Sequence, residues 1–213
     1  MRPEWKLNAS EHITTRGLQI AQVKATAPGY PSATTDSTLG GTAPSNAWRH
    51  LAGLPEDAEA SPSEDTVEWK RERSFQTALS GGFTVIPWEI GSPGYSKAYK
   101  WWLEWFISAK PGTLPRACKQ ITQDFDELIQ QTSLRRRFML TDNGQLGFGP
   151  EGAEEGDVLI SPGGKVSYIL RKVEASVHGA EAYRLLGDAF LNGAMAGEKV
   201  HSGMSGFKDI III

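Results

Sequence analysis

The sequence predicts an α+β protein: a short N-terminal β-hairpin and a three-helix segment, followed by a small antiparallel β barrel or roll. Three observations carry this. Apolar residues recur at helical spacing from about residue 61 to residue 132 and alternate after Arg135. Proline and glycine sit where helices start and stop. An Asn-Gly pair stands between two alternating runs, the strongest short hairpin signal. The expected boundary separates a mainly helical segment with the hairpin and a long loop, residues 1–133, from an antiparallel β module, residues 134–213.

The hairpin is predicted from two short runs, Trp5–Leu7 and Leu18–Val23, with a turn near Thr15-Arg16-Gly17. Ala27 to Ser45 is rich in Pro, Gly, Ser and Thr and reads as a loop. Asn46–Leu54 reads as a short extra helix. Ser61-Pro-Ser-Glu64 carries a capping-box signature with proline at the first helical position. Val67, Phe75, Ala78 and Leu79 follow at helical spacing until Gly81-Gly82. Ser92-Pro93 opens a second helix bearing Tyr95, Tyr99, Trp102, Trp105 and Phe106. A third runs from about Pro115 to Thr132 with the stripe Ile121, Phe125, Leu128, Ile129.

Strands are then predicted at Arg137–Thr141 and Gln145–Gly149 around Asp142-Asn-Gly144, at Asp157–Ile160, at Val166–Val173, at Ala182–Leu191 and at Phe207–Ile212. Ala175 to Ala180 reads as a loop. Gly187 marks a bulge or a close approach. This succession of short strands with regular turns suggests a barrel or roll.

Composition bounds function. The 213 residues are 39% hydrophobic and 22% charged, enough for a real core. A net charge of −3 argues against nucleic-acid and membrane-surface partners. No stretch approaches the ~18 apolar residues of a membrane span. The N-terminus lacks an apolar signal core, and the single Cys118 favours a reducing compartment, so a cytoplasmic location is expected. Three of the 7 tryptophans lie in Trp101-Trp102-Leu-Glu-Trp105, which is expected to seed the core of its half.

No motif survives as a catalytic site. Gly147-Phe-Gly149-Pro-Glu-Gly152 spells G-x-G-x-x-G after a strand. The dinucleotide mechanism needs a helix opening there to present free N–H groups to a pyrophosphate. Pro150 removes one N–H, Glu151, Glu154, Glu155 and Asp157 would repel phosphate, and no helical pattern follows; the segment reads as a glycine-rich β turn. Ser161-Pro-Gly-Gly-Lys165 lacks the upstream glycine and hydroxyl of a phosphate loop and reads as a hairpin turn. His12, His50, His178 and His201 have no ligand spacing, and Cys118 has no neighbouring His. Arg71 and Arg73 read as a solvated helix face beside Glu64, Asp65 and Glu68. Arg135-Arg-Arg137 reads as solvated charge or a contact to an acidic surface. Catalytic, cofactor-binding and metal-binding residues are therefore expected to be none.

One string is more specific. Arg136-Arg-Phe-Met-Leu-Thr141, Gly144-Gln-Leu-Gly-Phe-Gly-Pro150, Gly156-Asp-Val158, Gly163-Gly164, Tyr168-Ile-Leu-Arg171, Tyr183-Arg-Leu-Leu-Gly187 and Gly193-Ala-Met-Ala-Gly-Glu198 follow one another in order. In order and spacing they resemble the carboxy-terminal region of fungal heterokaryon-incompatibility proteins, the HET-domain family. Its members typically read R-R-F-F-x-T, G-x-x-G-x-G-P, G-D-x-V, G-G, F-x-L-R and Y-x-L-V-G-x-x-Y-V-H-G-I-M-x-G-E. The resemblance covers about Arg135 to Glu198. Asn192 stands where the family has His, and Ala194 and Ala196 replace Ile and Asp, so no role of that His is carried over. The opening of the HET domain, close to Y-x-A-L-S-Y-x-W-G, is found nowhere in the sequence.

The resemblance implies a non-enzymatic accessory or regulatory module for non-self recognition and cell death, without the TIR-like HET effector domain. It would be a truncated product or a degenerate paralogue. Its implied partner is a protein, either a HET domain in trans or another copy joined through the C-terminal edge strand near Ile210–Ile213. No cofactor is implied. The alternative is a ligand-binding protein or enzyme with a site between the Trp-rich helix and the β module, motivated by Trp101, Trp102, Trp105 and Cys118.

Overall fold

The structure is a computed structural model that describes residues 5–7, 12–30, 44–55, 65–81, 92–107, 116–162, 166–177, 180–194 and 206–213. The elements in order are β1 (Trp5–Leu7), β2 (Ile13–Ala27), α1 (Pro44–Leu51), α2 (Val67–Leu79), α3 (Pro93–Ile107), α4 (Arg116–Ser133), β3 (Arg136–Thr141), β4 (Leu146–Pro150), β5 (Val158–Ser161), β6 (Ser167–Val177), β7 (Ala180–Leu191) and β8 (Phe207–Ile212). The fold class is α+β, as the change of period predicts. By contact the chain forms two units, Met1–Thr26 with Met139–Ile213, and Ala27–Phe138. The N-terminal hairpin thus joins the β unit, although the sequence reading grouped it with the helices. Only tertiary pairing reveals this, because β2 binds β5 and β8, far along the chain.

In the β unit the strand order is β1-β2-β3-β4-β7-β6-β5, and β5 pairs back to β2, so the sheet closes into a ring. β8 bridges β2 and β7 by a second route. The described registers are antiparallel except β7 with β8, which is parallel. The predicted turn at Thr15-Arg16-Gly17 is not there: these residues are inside β2, with Thr15 opposite Trp5 and Gly17 opposite Lys208. Gly17 serves close packing instead, since a Cβ at that position would come within 3.0 Å of Ile210 Cδ1. The loop expected at Ala175–Ala180 is mostly strand, with β6 and β7 paired out to Val177 and Ala180.

This unit has two apolar cores. One contains Ala21, Val23, Met139, Leu159, Ile169, Ala189 and Leu191. The other contains Val158, Ile160, Leu170, Tyr183, Ile210 and Ile212. Consecutive residues of β5 and β6 go to different cores, so these strands are the wall between them, buried on both faces. β2 and β7 reach both cores through bulges. Ile20 is extra between Gln19 and Ala21 opposite β5, and Leu186 is extra between Leu185 and Gly187 opposite β6. An added residue inverts the alternation of faces. Gly187, flagged as a bulge signal, adjoins the second of these.

In the helical unit, α2 starts at Val67 with the Thr66 hydroxyl accepting from Trp69 N at 3.1 Å. The start predicted at Ser61-Pro-Ser-Glu64 lies outside the described residues, and Val67, assigned to the apolar stripe, is 65% exposed because it is the first helical residue. Phe75, Ala78 and Leu79 are buried as predicted, and Gly81 follows the helix with φ 62°. Ser92 caps α3, its hydroxyl accepting from Tyr95 N at 3.2 Å. Phe125 and Ile129 of α4 are fully buried. Phe125 meets Tyr95, Tyr99 and Trp102 edge-on with centroids 5.3, 6.2 and 6.0 Å away. Trp48 of α1 stacks on Phe138 at 5.6 Å.

Candidate functional site

The glycine motif is a packing device. Gly147 and Gly149 lie in strand β4, as the strand predicted at Gln145–Gly149 requires, and of the glycine-rich turn reading only the part at Gly152 is a turn. A Cβ on Gly147 would stand 2.0 Å from the Phe190 carbonyl oxygen, and one on Gly149 would stand 2.5 Å from Ile169 Cδ1. These glycines let β4 approach β7 and the core. No helix follows: Ala153 N donates to the Pro150 carbonyl, closing a tight turn. The segment has no row of free N–H groups at a helix N-terminus to receive phosphate.

The second motif joins β5 to β6, with Ile160 opposite Tyr168, as a hairpin should. Gly163, Gly164 and Lys165 lie outside the described residues.

The other candidates do not converge. His12 is buried before β2, His50 is exposed on α1, and Cys118 is buried on α4. His178 and His201 lie outside the described residues. Among the described residues no three His, Cys, Asp or Glu side chains are grouped to hold a metal. Arg71 donates to the Gly53 carbonyl at 3.1 Å, and Arg73 lies over the Trp69 ring at 5.5 Å, so this face ties elements together as well as meeting water. Of the tryptophan cluster, Trp102 is fully buried, and Trp101 is half-buried with Lys97 Nζ 4.7 Å from its ring centre. The side chain of Trp105 lies outside the described residues.

What the structure does assemble is a pair of buried polar centres in the helical unit. Arg49 of α1 is 2% exposed. It donates to Glu72 of α2 at 3.0 Å, to the Tyr99 hydroxyl of α3 at 2.9 Å and to the Pro55 carbonyl at 2.9 Å. The Tyr99 hydroxyl donates to Glu72 in turn. Burial first, then the Glu72 charge, pushes the Tyr99 phenol well above its ordinary range, so it stays a neutral donor.

Asp126 of α4 is the second centre. It accepts from Trp102 Nε1 at 2.9 Å, from the Tyr30 hydroxyl at 2.9 and 3.0 Å, and from Gln130 Nε2 at 2.7 Å. Its carboxyl is shifted upward, chiefly by desolvation, against the pull of its three donors. In both centres these hydrogen bonds run between side chains and backbone of the same unit. The arrangement holds α1, α2, α3, α4 and the Tyr30 segment in register.

In the β unit, Arg171 of β6 closes the glycine-rich turn. It donates to both oxygens of Asp157 at 2.8 and 2.9 Å and to the Gly152 carbonyl at 2.7 Å, and pairs with Glu154 at 3.2 Å. The Asp157 bonds raise the Arg171 pKa further. Asp157, read from the sequence as repelling phosphate, is a bidentate partner for this arginine. Asn192, the departure from the family His, offers its carbonyl to Gln145 Nε2 at 2.6 Å, and its N–H goes to Leu146 at 3.0 Å.

Sequence reading missed Arg49, Glu72, Tyr30 and Asp126 as a set. Apolar periodicity is blind to polar residues on a buried face. The one available signal was Asp126 immediately after Phe125, which continues the buried side of α4.

Residues 117–204 match the family model described as Het-6 beta-barrel domain. The match takes in most of α4 and strands β3 to β7; β2, which closes the ring, and β1 and β8, which pair with it, lie outside the match. No curated protein and no solved structure matches the chain.

Proposed function

From this relationship of the C-terminal region to fungal heterokaryon-incompatibility proteins, we propose that the chain is a non-enzymatic accessory or regulatory module of non-self recognition and cell death. It works with a HET effector domain, supplied in cis or in trans, in the cytoplasm. The observation that carries this reading is the match of residues 117–204 to the Het-6 beta-barrel domain. The non-enzymatic part is supported by the two buried centres at Arg49 and Asp126, whose members hydrogen-bond one another.

The recognised partner is a protein. The route through the C-terminal strand needs revision, because Ile211 and Ile212 of β8 are paired on both sides, to Thr14 and Ile13 of β2 and to Ala182 and Tyr183 of β7. β1 has β2 as its one strand partner among the described pairings and is the better edge. No helix among the described residues is long and apolar enough to cross a membrane.

The test is expression in a fungal host with and without a separately expressed HET domain. The chain alone should leave cells viable and should change the response when the HET domain is present. Death caused by the chain alone would overturn the accessory role.

A further inference from the structure

Asp126 is 6% exposed, and both its oxygens face donors from three chain segments: Tyr30 after β2, Trp102 on α3 and Gln130 on α4. None of these is a cation. The charged group acting on it from α4 is Glu127, which is negative. From α3 it meets the indole of Trp102, itself stacked on Tyr99. α2 reaches α4 through the Thr132 hydroxyl, which donates to the Leu79 carbonyl at 2.7 Å. The cation that is buried among the described residues of this unit, Arg49, is engaged by Glu72 and Tyr99. An ionised carboxylate placed this way has no counter-charge among the described residues in a poorly polarisable interior, and hydrogen bonds offset only part of the lost hydration.

We propose that Asp126 is a proton-binding site of the helical unit, which takes up a proton there in mild acid and holds α3, α4 and the Tyr30 segment more tightly than at neutrality. On protonation the carboxyl gains one O–H. The Tyr30 hydroxyl, donor to the carboxylate, can rotate to accept it, while Trp102 Nε1 and Gln130 Nε2 keep donating to the oxygens' remaining lone pairs. The sign follows from linkage. A carboxyl whose folded pKa lies above the unfolded value binds more protons when folded, so stability is greatest below the unfolded pKa and falls as pH rises through the folded one. This is opposite to a carboxylate whose folded pKa is depressed.

The test compares urea unfolding of the full chain with that of Asp126→Asn at a series of pH values from neutrality downward. All other carboxyls are common to both, so the difference isolates position 126. The folding constant of the wild type should gain on the variant as pH falls, by up to about tenfold per pH unit within the titration window. A flat difference, or a wild type that loses ground in acid, overturns the proposal. Should Asp126→Asn not fold, the Trp102 indole N–H resonance of the wild type, assigned with Trp102→Phe, decides. Its pH midpoint should lie above the ordinary aspartate value of about 3.9; a midpoint at or below that value refutes the site.

Discussion

Asn143, in the turn between β3 and β4, donates its Nδ2 to the carbonyl of Ile20 at 3.2 Å, and Ile20 is the residue bulged out of β2. Asp142 adds to this by accepting from Gln22 N through Oδ1 at 3.0 Å and donating its own N–H to the Gln22 carbonyl at 2.9 Å. The turn that the Asn-Gly pair announces is also the clamp on the bulge that lets β2 serve two cores. Asn143→Ala should lower stability by about 1 kcal/mol, the usual loss for one hydrogen bond. Chemical denaturation would show it, with the larger change in amide exchange around residues 19–22 than in the β6–β7 pairing.

The two readings of the glycine motif separate by substitution. Gly147→Ala puts a methyl 2.0 Å from the Phe190 carbonyl oxygen and should cost several kcal/mol or prevent folding, at about the upper end of overpacking penalties, ~3 kcal/mol. Gly152→Ala meets nothing within 4 Å and should be nearly silent in thermal melts. A phosphate-cradling loop would make both positions matter for ligand binding and neither for folding alone.

Arg49→Met should be among the most damaging changes in the helical unit. It removes one partner of a buried ion pair and leaves Glu72, among the described residues, with the Tyr99 hydroxyl, a change that typically costs about 3–5 kcal/mol. Adding Glu72→Gln should restore a measurable part of that loss, since the orphaned charge is then gone. A double variant no better than the single one would mean that the arginine acts by packing against Phe75, 5.8 Å from its guanidinium, rather than by charge.

The Thr15 hydroxyl is buried on β2 with no hydrogen-bond partner among the described residues. Its cross-strand neighbour Ile210 belongs to the second core. Thr15→Val keeps the shape and removes the unsatisfied oxygen, so stability should rise by about 1 kcal/mol. A fall would indicate that a water or a rotated hydroxyl satisfies it in solution.

Tyr183 supplies a pH dependence at the alkaline end. Burial, then its hydrogen bond to Glu181 at 2.8 Å, pushes its phenol up to about 12. The unfolded value is about 10. The neutral form is thus favoured by folding, and its contribution is complete below pH ~10 and lost as pH rises toward the folded pKa. Measured against Tyr183→Phe, wild-type stability should decline across that window, and the phenolate absorbance of this residue should appear late in the titration.

Local signals served well where the chain settles its own geometry. Ser92-Pro93 starts α3 because a hydroxyl three residues ahead of Tyr95 N can cap it without any tertiary help. Asp142-Asn-Gly144 turns β3 into β4 because Gly144 reaches φ 81° without strain. Tertiary context won where pairing partners are remote. Thr15-Arg16-Gly17 looks like a turn in isolation, but strands on both flanks of β2 hold it extended. The buried centres at Arg49 and Asp126 escaped because each draws its partners from separate helices and loops.

By itself, then, the sequence determined the α+β class, the helix and hairpin punctuation, and the motif string shared with heterokaryon-incompatibility proteins. These depend on local backbone preference and on residue order. Tertiary structure alone decided that β2 and β8 help close the ring, that the bulges at Ile20 and Leu186 turn the strands toward two cores, and that Asp126 meets no cation among the described residues. Those features come from contacts between residues up to about two hundred positions apart, whose strength depends on burial, and burial exists only once the chain has folded.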